Sequence, residues 1–131
     1  LEEALVLAQG VAPTKAVEDW LRTALDDEQA PLLLRCRAAE ALSSCRDTVT
    51  LAALVRALGG RHPDLRASAA NGLGAFVHEL VLPSLLTAFE VEREQSVRGL
   101  LLIAIGRQGG EHARAFLLEE LRRGGKALRP W

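Results

Sequence analysis

An arginine recurs along this chain at an interval that leaves few folds open. The segment L-R-C-R-A-A-E-A-L begins at Leu34, L-R-A-S-A-A-N-G-L at Leu65 and V-R-G-L-L-L-I-A-I at Val97, and Leu128 with Arg129 begins a fourth copy. Arg35, Arg66, Arg98 and Arg129 are thus 31, 32 and 31 residues apart. A period of this length marks one supersecondary unit repeated along an axis, each unit too small to bury its own apolar face. Upstream of two of these arginines lies a second helical pattern. Leu51, Leu54, Val55 and Leu58 form it in one copy and Leu82, Leu85, Leu86 and Phe89 in the next, both at i, i+3, i+4 and i+7. Each unit is therefore expected to be two helices.

The run from Ala53 to Gly74, A-L-V-R-A-L-G-G-R-H-P-D-L-R-A-S-A-A-N-G-L-G, resembles a HEAT repeat of the short bacterial type also seen in phycobilin lyase subunits. That pattern has an apolar first helix, a Pro and an acidic residue in the turn, Val-Arg or Leu-Arg opening the second helix, then Ala-Ala and Leu-Gly. The resemblance extends over nearly the whole chain and is strongest around Arg66. It implies an all-α fold, a right-handed α-solenoid of about three full repeats with a half repeat at either end, in which positions 1–131 form a single domain. The turns depart from the pattern. His62 in one copy and Pro31 in the first stand where an acidic residue usually caps the second helix, so a regular Asp-Arg ladder between repeats is not expected.

Composition agrees with helices packed through small side chains: 49% of the residues are apolar and only 4% aromatic, with no Tyr, which argues against a β-sandwich. A chain of 131 residues has room for one core of useful size. Fourteen Arg and two Lys are balanced by 17 acidic residues, a net charge of -1, which supplies no field to hold nucleic acid or an anionic membrane. The longest apolar runs, such as Leu100 to Ile105, are far too short to span a bilayer. With no Met and no signal peptide, and with a start and a stop inside repeats, the chain is expected to be a piece of a longer cytoplasmic protein.

The pattern predicts helices near 16–25, 32–45, 48–58, 64–78, 81–90, 95–107 and 111–123, and no strand. Leu1 to Ala8 reads as the end of an earlier helix stopped at Gly10. Val17, Trp20, Leu21 and Ala24 share one face of the first full helix, and Leu34, Ala38, Ala39, Leu42 and Cys45 the buried face of the second. Asp47 or Thr48 is a suitable cap, Asp64 suits a helix first turn, and Pro83 falls where its missing amide hydrogen does no harm. Gly72 and Gly74 inside a helix cost roughly 1 kcal/mol each against Ala, which is tolerable only if a neighbouring helix approaches closely there. Leu73 and Phe76 are expected between consecutive units, and Leu117, Leu118 and Leu121 on the inward face of the last helix, before Gly124 and Gly125 turn the chain.

Residues able to carry chemistry have plain readings. Cys36 and Cys45, nine apart on one predicted helix and half a turn out of phase, are not expected to pair: Cys45 reads as a core residue and Cys36 as an incidental thiol, suiting a reducing compartment. His62, His78 and His112 lie at turns or helix ends without a second ligand at metal spacing. The His78-Glu79 pair is similar to those of deoxyhypusine hydroxylase, an iron enzyme of HEAT repeats with several such pairs, but here it stands alone. The repeated arginine has two readings, a row of anion-binding groups or, as is more usual in the fold that the chain resembles, a stem packed between units whose head bonds a turn carbonyl or carboxylate, and the second is expected. No catalytic constellation appears, so neither an enzyme nor a cofactor is expected.

In the family that the chain resembles, second helices line the concave face. Aligning them places Arg37, Ser68 and Leu100 in one row, Glu40, Asn71 and Ile103 in another, and Ser44, Ala75 and Arg107 in a third. Leu100 and Ile103 are apolar where the sister units are polar, which leaves two readings: a neighbouring segment of the longer parent or the next repeat covers them, or they form a partner-facing patch flanked by Arg66, Asn71 and Arg107. The function expected is a scaffold or adaptor module that binds a protein partner, or another domain of the parent chain, on this face, with self-association through open repeat ends. Two alternatives stand beside it: a lyase- or chaperone-like subunit handling a small molecule or partner protein, and a nucleic-acid module of the HEAT-like alkylpurine glycosylase type, which the scarcity of aromatics disfavours.

Overall fold

In each arginine-centred unit the period-3.6 apolar stripe forms two antiparallel-packed helices, and the units stack through their second helices. The structure is a computed structural model that describes residues 14–45 and 47–127. The predicted helix end at Leu1 to Ala8, the fourth copy at Leu128 and Arg129, and Trp131 lie outside the described residues. Seven α-helices are present among those described, and no strand: α1 Lys15–Asp26, α2 Leu32–Ala41, α3 Thr48–Leu58, α4 Pro63–Gly74, α5 Val81–Val91, α6 Gln95–Gln108 and α7 Gly110–Ala127. None is long and apolar enough to cross a membrane. The pairs α1/α2, α3/α4 and α5/α6 pack as hairpins, α2 packs on α4 and α4 on α6, and α7 packs on α6.

The helix starts are set by local chemistry. Thr14 accepts a hydrogen bond from Val17 N at 3.4 Å, and Asp47 accepts one from Thr50 N at 2.7 Å, each satisfying an amide that the first turn leaves without a partner. Pro83 sits in the first turn of α5, and α6 stops at Gly109, whose φ of 71° only glycine adopts at little cost. Three predicted ends differ. Helix α2 stops at Ala41 rather than near 45, and a 3-10 turn, Leu42–Ser44, takes the place of its last turn. Helix α4 stops at Gly74 rather than near 78, because Gln108 Nε2 donates to the carbonyls of Gly74 and Phe76 at 3.3 and 3.2 Å and takes the place of further helical turns. Helix α7 runs through Gly124 and Gly125 to Ala127: a Gly pair weakens a helix but leaves its hydrogen-bond ladder intact.

The core is a strip of Leu and Ala between the two helix layers, with Leu21, Leu42, Leu54, Leu65, Leu73, Leu85, Leu101 and Ile105 fully buried. Leu73 and Phe76 are inside as expected. Helix α4 is held closely on both sides, as its glycines require. A Cβ on Gly72 would lie 2.9 Å from the Ala39 carbonyl oxygen of α2, and one on Gly74 would lie 3.2 Å from Ala104 Cβ of α6. At α7 the expected inward face is corrected. Ala113, Phe116 and Leu117 pack on the core, whereas Leu118 and Leu121 are 57% and 72% exposed, because α6 covers only one side of this helix.

Candidate partner-binding face

Three second helices, α2, α4 and α6, stand side by side, so the rows inferred from the repeat become a continuous surface. Glu40, Asn71 and Ile103 are exposed along it, as are Ser44, Ala75 and Arg107, while Leu100 is half-buried. Ser68 departs from its row. It is buried, and its hydroxyl donates to Glu40 Oε2 at 3.1 Å, tying α4 to α2.

A groove of about 470 Å³ runs along this face, walled by Leu32, Leu33, Arg37 and Glu40 of α2 and by Ser68 and Asn71 of α4, with Leu100 of α6 at its end. Its charges are partly neutralised within the wall, since Arg37 Nη1 donates to Glu40 Oε1 at 3.4 Å. Ile103 and Arg107 continue the Leu100 stripe along α6, and Ile103 is 52% exposed. Leu33, 67% exposed, was not among the expected site residues. Its signal is the triplet Leu32-Leu33-Leu34: consecutive residues are about 100° apart on a helix, so three in a row cannot all face one core.

Arg66 does not belong to this face. Its guanidinium is held by Glu92, the residue after α5, with Nε donating to Oε1 at 2.8 Å and Nη2 to Oε2 at 3.0 Å. Glu92 is only 7% exposed, and its Oε2 also accepts from Arg93 N and Glu94 N at 3.2 and 3.1 Å. Hydrogen bonding from Arg66 is the main reason that the Glu92 carboxyl is held below the usual carboxylate range; burial opposes it. The repeated arginine thus has a structural role, and its bonds to carbonyls are shared by the three described copies. Arg35 Nε donates to Leu25 O at 3.0 Å, Arg66 Nη1 to Gly60 O at 2.9 Å, and Arg98 Nη1 to Phe89 O and Glu92 O at 3.1 and 2.9 Å. Each bonds carbonyls at or beyond the end of its unit's first helix, where the helix leaves acceptors without partners.

The thiols and imidazoles are placed differently from one another. Both cysteines are free and buried, so Cys36 is a core residue and not an incidental thiol. Burial raises both thiols, Cys45 to about 11 with Glu18 adding to the effect. His78 Nδ1 accepts from Leu80 N at 3.1 Å, while His62 and His112 are exposed. Among the described residues no three His, Cys, Asp or Glu side chains gather in a way that would hold a metal ion. Compared with known proteins, the chain matches no protein-family model and no curated protein.

Proposed function

We propose that this chain is a HEAT-like α-solenoid of right-handed path that serves as a protein-interaction module, with the partner lying across α2, α4 and α6. One observation carries the reading: Leu33, Leu100 and Ile103 are exposed or half-buried among polar Arg37, Glu40, Asn71 and Arg107. Clustered apolar side chains rimmed by polar ones characterise interaction surfaces, because removing them from water favours association while the rim sets orientation. The module works by contact alone, without chemistry of its own. Two buried free thiols suit a reducing compartment such as the cytoplasm.

The test is Leu100→Ser combined with Ile103→Glu. Each substitution should change stability by about 0.5 kcal/mol or less, as for surface positions, in urea unfolding followed by circular dichroism. Affinity capture with the unmodified chain and the double variant, compared by mass spectrometry, should show a protein that is retained by the first and lost by the second. Unfolding of the double variant would make both residues core, and identical captured sets would remove the face from consideration.

A further inference from the structure

The three units are not equivalent at their turns, and the difference builds a site. Arg66 and Arg98 each donate from Nη1 at 2.9 Å to the carbonyl oxygen six residues earlier, Gly60 and Glu92 respectively, so Gly60 occupies in the second unit the place of Glu92 in the third. By the same offset Arg61 and His62 correspond to Arg93 and Glu94. Between the second and third units, the Glu92 carboxylate bridges the Arg66 guanidinium and the amides of Arg93 and Glu94. Between the first and second units the corresponding donors are Arg35 and the amides of Arg61 and His62. Gly60 has no side chain to offer them, and the terminal nitrogens of Arg35 and both amides have no partner among the described residues.

Arg35, Gly60, Arg61 and His62 line one cleft of about 360 Å³ between the α1–α2 and α3–α4 turns. Of the other charged groups lining it, Asp26 is held by Arg56 at 2.9 Å, which leaves Glu28 as the acid set against Arg35 and Arg61. We propose that this cleft is a carboxylate-binding site, which takes the carboxylate of an acidic peptide side chain or of a small free acid on the two terminal nitrogens of Arg35 and the amides of Arg61 and His62, the Arg35 Nε being already given to Leu25 O. Two terminal guanidinium nitrogens and two backbone amides lining one cleft offer donors enough for the four lone-pair sites of a carboxylate. The site lies at the turns, apart from the apolar groove, and does not rest on the proposed partner face.

The experiment is a titration of the ¹⁵N-labelled chain with sodium acetate at constant ionic strength, followed by heteronuclear NMR. The amides of Arg61 and His62 should shift and saturate, while the amides of Arg93 and Glu94, already bound by Glu92, stay in place. A capped Gly-Glu-Gly peptide should produce the same shifts and its Gln counterpart none. Tighter binding of the Glu peptide than of acetate assigns the site to a peptide ligand, and equal binding to a small free acid. Arg35→Gln should weaken binding about tenfold or more, the loss expected for hydrogen bonds to a charged group. Arg35→Lys, which keeps the charge without the fork, should weaken it less and takes the place of Arg35→Gln if that variant does not fold. Shifts that never saturate, that appear equally at Arg93 and Glu94, or that the Gln peptide reproduces would overturn the proposal.

Discussion

Replacing Glu92 by Ala removes the acceptor of two arginine hydrogen bonds and two backbone amides at once. The side chains of Arg66 and Glu92 are 19% and 5% exposed, so the pair is nearly dry on one side and partly wetted on the other. Breaking a buried pair by deleting one partner costs about 3–5 kcal/mol, because a charge is left without compensation. Here Arg66 keeps its bonds to the carbonyls of Gly60 and Arg61, and water reaches part of the guanidinium, which lowers the expectation to about 2–4 kcal/mol. A cycle of Glu92→Ala, Arg66→Ala and the double variant, followed by urea denaturation, should give a coupling energy of about 1–3 kcal/mol. The pH dependence has a definite sign. The Glu92 carboxyl is depressed in the folded state, so between the folded and unfolded values the unfolded chain binds more protons. Its contribution is therefore full above the ordinary Glu range and is lost as pH falls through the folded value, and Glu92→Gln should flatten that part of the acid-unfolding profile. Single losses below about 1 kcal/mol, or strictly additive ones, would show that the pair does not fasten the second unit to the third.

The glycines make an opposed pair of predictions. Gly72→Ala should destabilise the fold by about 1 kcal/mol net, since overpacking against the Ala39 carbonyl exceeds the helix-propensity gain, whereas Gly99→Ala, with nothing within 4 Å of the new Cβ, should stabilise it by about 1 kcal/mol; effects of the same sign in urea unfolding would refute the close α2–α4 approach. Phe76→Ala should cost about 3–5 kcal/mol in the same unfolding assay, since the ring is only 3% exposed, and a loss below about 1 kcal/mol would mean that the segment after α4 is misplaced.

Much of the helical layout was legible because it depends on neighbours in sequence. The i, i+3, i+4 stripes, the Asp47 cap and the Pro83 start act within a few residues, and the helices they define begin close to where they were expected. Gly72 and Gly74 carried tertiary information of a restricted kind: two costly residues in a helix imply close neighbours, although not which ones. The Leu32-Leu33-Leu34 triplet held a similar signal for an exposed apolar side chain.

What the sequence by itself determined, then, is the period, the alternation of first and second helices, and the rows that second helices present, except at Ser68, which packing buries. The tertiary structure alone decided the role of Arg66, because its partner Glu92 is 26 residues away and lies in a turn of the next unit. It also decided that Leu118 and Leu121 face outward, since periodicity defines an apolar stripe but not how much of it a neighbour covers. The contrast between Arg35 and Arg66 has the same origin. Both arginines open a second helix in nearly the same words, and they differ in what the following unit brings against them, Glu92 in one case and Gly60 in the other, and in the nitrogen each gives to its own unit, Nη1 of Arg66 and Nε of Arg35. Short-range propensity is written residue by residue, whereas the environment of a charged group is set by which distant side chain the packing of two units delivers to it.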